Sequence, residues 1–114
     1  MQDCLFCKIV SGELKTDFIY EDDDVVAFND ISPKAPHHFL CIPKQHISTI
    51  NDITPEQGPI IGKMILAAQH ICKERGIADD GYRLVMNCNA DGGQTVFHIH
   101  LHVLAGRQMQ WPPG

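Results

Sequence analysis

The sequence predicts an α+β fold: a five-stranded antiparallel sheet with one long and one short helix. Three observations carry this. Apolar residues alternate with histidine through His98-Ile99-His100-Leu101-His102-Val103-Leu104, the period-two signature of a half-buried strand. Ile61, Met64, Ile65, Ala68, Ile71 and Cys72 recur at helical spacing and give one apolar face. Further strand-like runs, bounded by Gly, Pro and Asp, lie both before and after that helix, which is the α+β order.

The elements follow in order. Residues Asp3 to Val10 read as a short helix ended by Ser11-Gly12. Asp17 to Glu21 and Val25 to Asn29 read as a hairpin around the solvated turn Asp22-Asp23-Asp24. Ile31 to Pro36 is a proline-bracketed loop, and His38 to Ile42 is a strand stopped by Pro43. The long helix has Thr54 as N-cap, Pro55 at the first helical position and Gln57 as capping-box partner. Gly58-Pro59 spoils its first turn, so regular helix is expected from about Pro59, with Gly76 as the C-terminal stop. Tyr82 to Asn87 is a strand, Asp91 to Thr95 a loop, the histidine segment the last strand, and Gly106 to Gly114 an irregular tail.

A chain of 114 residues has room for one core, so a single domain over 1–114 is expected. No apolar run approaches the ~20 residues of a membrane span. The N-terminal stretch, with Asp3, two cysteines and Lys8, does not read as a signal peptide, so the expected location is cytoplasmic. Nine basic against fourteen acidic residues give a formal charge of −5, without a basic stripe. That argues against binding long nucleic acids, whose affinity rests on phosphate neutralisation. A mononucleotide remains open, because backbone N–H groups and a few histidines can hold one phosphate. Cys41, Cys72 and Cys88 fall in apolar patterns and read as buried packing residues.

Cys4-Leu5-Phe6-Cys7 has three competing readings. A redox pair would follow a strand in a βαβ unit, and none precedes it. A structural zinc site needs two more ligands, for which His46 and His98 are candidates. The third reading is two incidental cysteines. His100 is the best candidate nucleophile, because a neutral imidazole can attack phosphorus through one nitrogen while the other holds its proton on a carbonyl or carboxylate. His98 and His102 could neutralise developing charge or supply a proton. A catalytic zinc held by all three histidines is the rival, and a spacing of ~6.8 Å between alternate strand residues makes it awkward. Thr95 and the N–H groups of Gly93, Gln94, Thr95 and Val96 could hold a phosphate. Asn87 would lie beside the triad if its strand pairs with the histidine strand, and Asp30 could accept from ribose hydroxyls.

The segment His98 to Leu104 resembles the signature of the histidine triad (HIT) superfamily. The likeness extends through Phe6-Cys7-Lys8-Ile9, Asp30-Ile31-Ser32-Pro33, His38-Phe39-Leu40, Ile42-Pro43-Lys44 and Asp91-Gly92-Gly93-Gln94. The ending, Gly106-Arg107-Gln108-Met109 and Trp111-Pro112-Pro113-Gly114, resembles the Hint branch of purine nucleoside phosphoramidases. This resemblance implies a homodimer with one sheet extended across it. It also implies hydrolysis of adenosine or guanosine 5′-phosphoramidates, including adenylylated amines, to the nucleoside monophosphate. His100 aligns with the nucleophile that carries the nucleotidyl intermediate, and His102 and His38 with histidines around the phosphate. Asn87 and Thr95 align with its polar partners, and Asp30 with the ribose-binding aspartate. Phe6, Ile9, Phe28 and Ile31 align with the base pocket, and Trp111 with a residue that approaches the partner's site. In zinc-containing relatives Cys4, Cys7, His46 and His98 match the ligands, which makes His98 a metal ligand rather than a catalyst. A dinucleoside polyphosphate hydrolase and a nucleotide-binding regulatory protein are the alternatives; the short chain and the Trp111–Gly114 ending favour the Hint branch.

Overall fold

The computed structural model describes residues 3–114. Helix α1 (Leu5–Ser11) starts two residues after Asp3, with Cys4 as its N-cap and Gly12 as its left-handed stop at φ 85°. Strands β1 (Tyr20–Glu21), β2 (Val25–Asn29) and β3 (His37–Pro43) precede helix α2 (Gly58–Glu74). Strand β4 (Tyr82–Val85), a single helical turn α3 (Asn89–Gly92) and strand β5 (Leu101–Ala105) follow. All pairings are antiparallel, in the order β1-β2-β3-β5-β4.

The acidic segment is the hairpin turn expected of it: Asp22 Oδ1 accepts from the N–H groups of Asp24 and Val25, both at 2.8 Å. The first strand is shorter than expected. Phe18 and Ile19 keep the alternation, one against each face of the sheet, but the ladder starts only at Tyr20. Pro43 does not stop β3; it forms the last rung, opposite Val25. A strand's end tolerates a residue without an N–H, and the carbonyl of Pro43 is used elsewhere. Thr54 caps a separate 3₁₀ turn (Pro55–Gln57), in which Gln57 Oε1 accepts from Thr54 N–H at 3.0 Å; α2 then runs from Gly58. Gly76 ends it at φ 73°.

The apolar face of α2 is largely the expected one: Met64, Ala68, Ile71 and Cys72 are buried and Ile61 packs on the core, with only its edge turned from Ile65 towards Ile60 and Ala67. Ile60, Met64, Ala67, Ala68, Ile71 and Cys72 are buried, whereas Ile65 and Leu66 point outward. The buried set packs on Val25, Ala27, Phe39, Cys41, Leu101 and Val103, the odd-numbered face of the central strands. The even-numbered residues Val26, Phe28, Leu40 and Ile42 form a second buried cluster with Phe6 and Ile9 of α1. His38 and His102 belong to that same face by the β3–β5 register. Cys41 and Cys72 are buried as expected; Cys88 is half-buried and follows β4 instead of lying in a strand.

The histidine segment is only partly strand. Pairing with β3 begins at Leu101, opposite Cys41, so of the three histidines only His102 lies in β5. His98 closes a bend over residues 96–98 and His100 lies in the short stretch that leads into β5, where Ile99 N–H donates to Ile47 O at 2.8 Å. The alternation survives: Ile99, Leu101 and Val103 are in the core under α2, and the histidines face the other way. Strand β4 also ends early, at Val85 opposite His102, leaving Asn87 beyond the ladder. The expected loop at Asp91 begins instead as α3, turned off by Gly93 at φ 83°, a conformation glycine adopts without strain.

Candidate functional site

Two groups of side chains meet on the α1 face of the sheet. The first is Cys4, Cys7, His46 and His98, whose donor atoms all lie within 4.8 Å of one another. Cys4 Sγ is 3.4 Å from His98 Nδ1, Cys7 Sγ is 3.3 Å from His46 Nδ1, and Cys7 Sγ is 3.6 Å from His98 Nδ1. Those separations fit the edges of a tetrahedron with zinc–sulfur and zinc–nitrogen bonds of about 2.3 and 2.0–2.1 Å. The far nitrogens are held as well: His98 Nε2–H donates to Pro43 O at 2.8 Å, and His46 Nε2 lies 3.1 Å from Ser48 Oγ. The Pro43 carbonyl leaves the His98 Nδ1 lone pair facing the sulfurs, and the Ser48 hydroxyl is an acceptor within reach of the same arrangement at His46, the one that metal-binding histidines use. Burial holds the fully enclosed His98 ring below the usual imidazole range and hence neutral, as a ligand must be. Without a cation, burial and then the neighbouring Cys4 push the Cys7 thiol up to about 11. A divalent ion among the four donors reverses that bias.

The second group is His100, His102, His38 and Asp30. His100 Nδ1–H donates to the carbonyl of His98 at 2.8 Å, so its Nε2 carries the free lone pair. Phe6 packs edge-on against this ring, with centroids 5.1 Å apart and planes at 89°. The tautomers of the other two histidines follow from one backbone donor. Lys34 N–H donates to His38 Nδ1 at 3.0 Å, so His38 carries its proton on Nε2. That proton is given to His102 Nδ1 at 2.9 Å, which places the proton of His102 on its own Nε2. Asp30 Oδ2 lies 3.5 Å from His38 Nε2 as a second, longer acceptor. His100 and His102, with centroids 5.0 Å apart, thus present a lone pair and an N–H side by side. Burial first, and then the charges of His100 and His38, bring His102 down to about 4; burial also lowers His38. The atoms of Asp30, His38 and His102 are close enough to hold a cation. A cation on His38 Nε2 would require an imidazolate there, since Nδ1 already accepts a hydrogen bond, so the trio reads as a hydrogen-bond chain.

The remaining expected residues divide. Phe6, Ile9 and Phe28 share one buried cluster, with Phe6 and Phe28 at 5.6 Å, whereas Ile31 is fully exposed in its loop. Gln94 is buried and its side chain is fully engaged, donating to Val96 O in its own loop and to Ser48 O after β3, and accepting from Asn89 N–H. Thr95 and Val96 line an open cleft of about 750 Å³ with Cys4, His46, Ser48 and Phe97, at the cysteine end of the site. Trp111 stands 82% exposed in the tail. Lys34 N–H, Pro43 O and Ser48 Oγ escape sequence reasoning. The first two are backbone atoms with no residue signature; Ser48, two residues after His46, was the only one with a legible cue.

Comparison with known proteins follows the same lines. Residues 3–111 match the family described as "Scavenger mRNA decapping enzyme C-term binding". A purine nucleoside phosphoramidase of Escherichia coli strain K12 is 49% identical over 108 residues, covering 95% of this chain and 91% of that protein. A HIT family hydrolase from Legionella pneumophila superposes with a TM-score of 0.95 at 49% identity, covering 98% of this chain and all of that one. A zinc-bound histidine triad family protein from Mycobacterium smegmatis superposes with a TM-score of 0.80 at 38% identity, covering 93% and 76%.

Proposed function

This chain belongs to the histidine triad family, and we propose that it is a purine nucleoside phosphoramidase, a nucleotide hydrolase cleaving the P–N bond of adenosine or guanosine 5′-phosphoramidates, including adenylylated amines. The observation that carries this reading is the paired lone pair and N–H of His100 and His102. His100 Nε2 attacks phosphorus and the P–N bond breaks. His102 Nε2–H, whose Nδ1 accepts from His38 Nε2–H, gives its proton to the departing amine and takes one back from the water that attacks next. Water then displaces His100 from the nucleotidyl–histidine, releasing the nucleoside monophosphate. The His98 carbonyl keeps the His100 proton on Nδ1 throughout.

In this reading Phe6, Ile9, Phe28 and Ile31 form the base pocket, and Asp30 takes the ribose hydroxyls. Asn87, Thr95 and the backbone of Gly93 to Val96 take the phosphate. Cys4, Cys7, His46 and His98 hold a structural zinc ion, which clamps α1 and the segments around Pro43 and His98 together without entering the reaction. The protein acts as a single domain over 1–114 and as a homodimer. Supporting the dimer are Leu66, 61% exposed on the outer face of α2, the half-buried edge strand β4, and the exposed Trp111, which would reach the partner's site. No helix among the described residues is long and apolar enough to cross a membrane; we place the enzyme in the cytoplasm.

The test is release of adenosine monophosphate from adenosine 5′-phosphoramidate by the wild type and by His100→Ala. Turnover that falls at least ~10³-fold in a folded variant supports the mechanism. A wild type that binds nucleotide without turning it over would leave a regulatory binding protein instead.

A further inference from the structure

Resting on the proposed metal cluster and on His100 as nucleophile, we propose that Cys4 and Cys7 form a redox latch on the active site. Their oxidation to a disulfide frees His98, and with it the carbonyl that orients His100. His98 is the shared part. Its Nδ1 faces both sulfurs at 3.4 and 3.6 Å, its Nε2–H is on Pro43 O, and its own carbonyl receives the His100 Nδ1–H at 2.8 Å. A change at the sulfurs therefore reaches the nucleophile through a single residue.

The pair is built for oxidation. Cys4 and Cys7 share the first turn of α1, with Cys7 N–H on Cys4 Sγ at 3.3 Å, and a three-residue separation there is one that disulfides span. Cys4 lines the open cleft, so a small oxidant reaches it. Cys41 and Cys72 are buried, which leaves the half-buried Cys88 as the other approachable thiol.

With a peroxide as oxidant the step balances. One thiolate attacks a peroxide oxygen, the O–O bond breaks, and a sulfenic acid and hydroxide form. The second thiolate displaces hydroxide from the sulfenic sulfur and the S–S bond closes. Two electrons have left the sulfurs, and two protons convert the two hydroxides to water. A dithiol returns the electrons. Because a disulfide supplies no thiolate ligand, the cluster keeps two donors of four and releases its ion. The His98 ring then keeps its bond to Pro43 O and its packing on Phe6 and His46 but loses the ion that fixed its Nδ1, so the ring and the carbonyl beside it can shift against the Ile99 N–H bond to Ile47 O.

The experiment treats the zinc-loaded full chain with hydrogen peroxide and then with dithiothreitol. Zinc release to a chromogenic chelator, the mass of the Cys4–Cys7 peptide and the ¹⁵N shifts of His100 are followed beside turnover. The expected result is one zinc released per disulfide, a loss of Nδ1-protonated His100, and turnover lower by between about 10- and 100-fold. Dithiothreitol restores all of these. Cys88→Ser keeps the response, and a Cys4→Ala/Cys7→Ala variant shows a rate of its own that peroxide does not alter. A disulfide that forms while the His100 shifts stay fixed overturns the latch. So does a reduced chain that holds no zinc, or a peroxide response that persists in the double variant. A reduced protein without turnover would sink the phosphoramidase reading alone, because zinc, mass and ¹⁵N shifts still decide the latch.

Discussion

The hydrogen-bond chain from Lys34 N–H through His38 to His102 makes a quantitative prediction about a residue outside the triad motif. His38 is buried, and its Nε2–H is the partner that keeps His102 in the Nε2–H tautomer. His38→Leu removes that donor at similar volume. The bond lost is neutral, worth about 0.5–1.5 kcal/mol net, which biases two otherwise similar tautomers by up to roughly tenfold. Losing the bias by itself costs a few-fold in the competent population, and loss of ring orientation adds a larger factor. kcat is therefore expected to fall by about 10- to 100-fold, well short of the loss in His100→Ala. His38→Gln, whose Nε2 can reach the same place and donate, should recover about tenfold of it. Steady-state release of adenosine monophosphate gives the rates, and ¹⁵N chemical shifts of His102 give the tautomer directly. Equal rates in the Leu and Gln variants, or an unchanged His102 tautomer in the Leu variant, would refute the chain.

Three further outcomes can be checked. His102 and His38 are held neutral by burial, so the unfolded chain takes up protons below about pH 6.5 while folded His102 does so only near 4. Their contribution is thus full above about pH 6.5 and lost as pH falls towards 4. After discounting for solvent screening of a partly exposed ring, His102 accounts for about 1–2 kcal/mol; Tm measured from pH 7 to 5 should drop less steeply in His102→Gln. Gly106→Ala should destabilise by about 1–3 kcal/mol in urea melts, because φ is 96° and the added Cβ would sit 2.8 Å from Pro36 Cβ; an unchanged midpoint would contradict the geometry. Leu66→Asp should leave a folded monomer in sedimentation velocity if the outer face of α2 is the dimer contact, and a persistent dimer would move the interface elsewhere.

Most of the fold and much of the site were legible in the residues themselves. The alternation around the histidines survives even where strand pairing does not, because period two is a property of extended backbone and needs no ladder. The capping pair Thr54 and Gln57, the Gly76 stop and the Asp22 hairpin turn were readable because each is a local hydrogen-bonding or φ preference within a few residues, although the pair closes a 3₁₀ turn before α2 and not α2 itself. The edge of the buried face of α2 was not. Ile60 and Ile65 are chemically alike, and only the position of the sheet decides which of them is buried. The extent of the strands was hidden for a similar reason: pairing ends where the partner ends, and β3 and β5 are separated by more than fifty residues of chain.

By itself, then, the sequence determined which groups are available: three alternating imidazoles, a cysteine pair one turn apart, and turns to bring them round. The tertiary structure alone decided what each imidazole can do. An isolated histidine has two tautomers of nearly equal energy, and the choice here is made by Lys34 N–H, Pro43 O and His98 O. Those are backbone atoms, the same in every residue type, so only their positions in space can leave one ring with its Nδ1 facing the cysteines, one with a free Nε2 lone pair and one with a free Nε2–H.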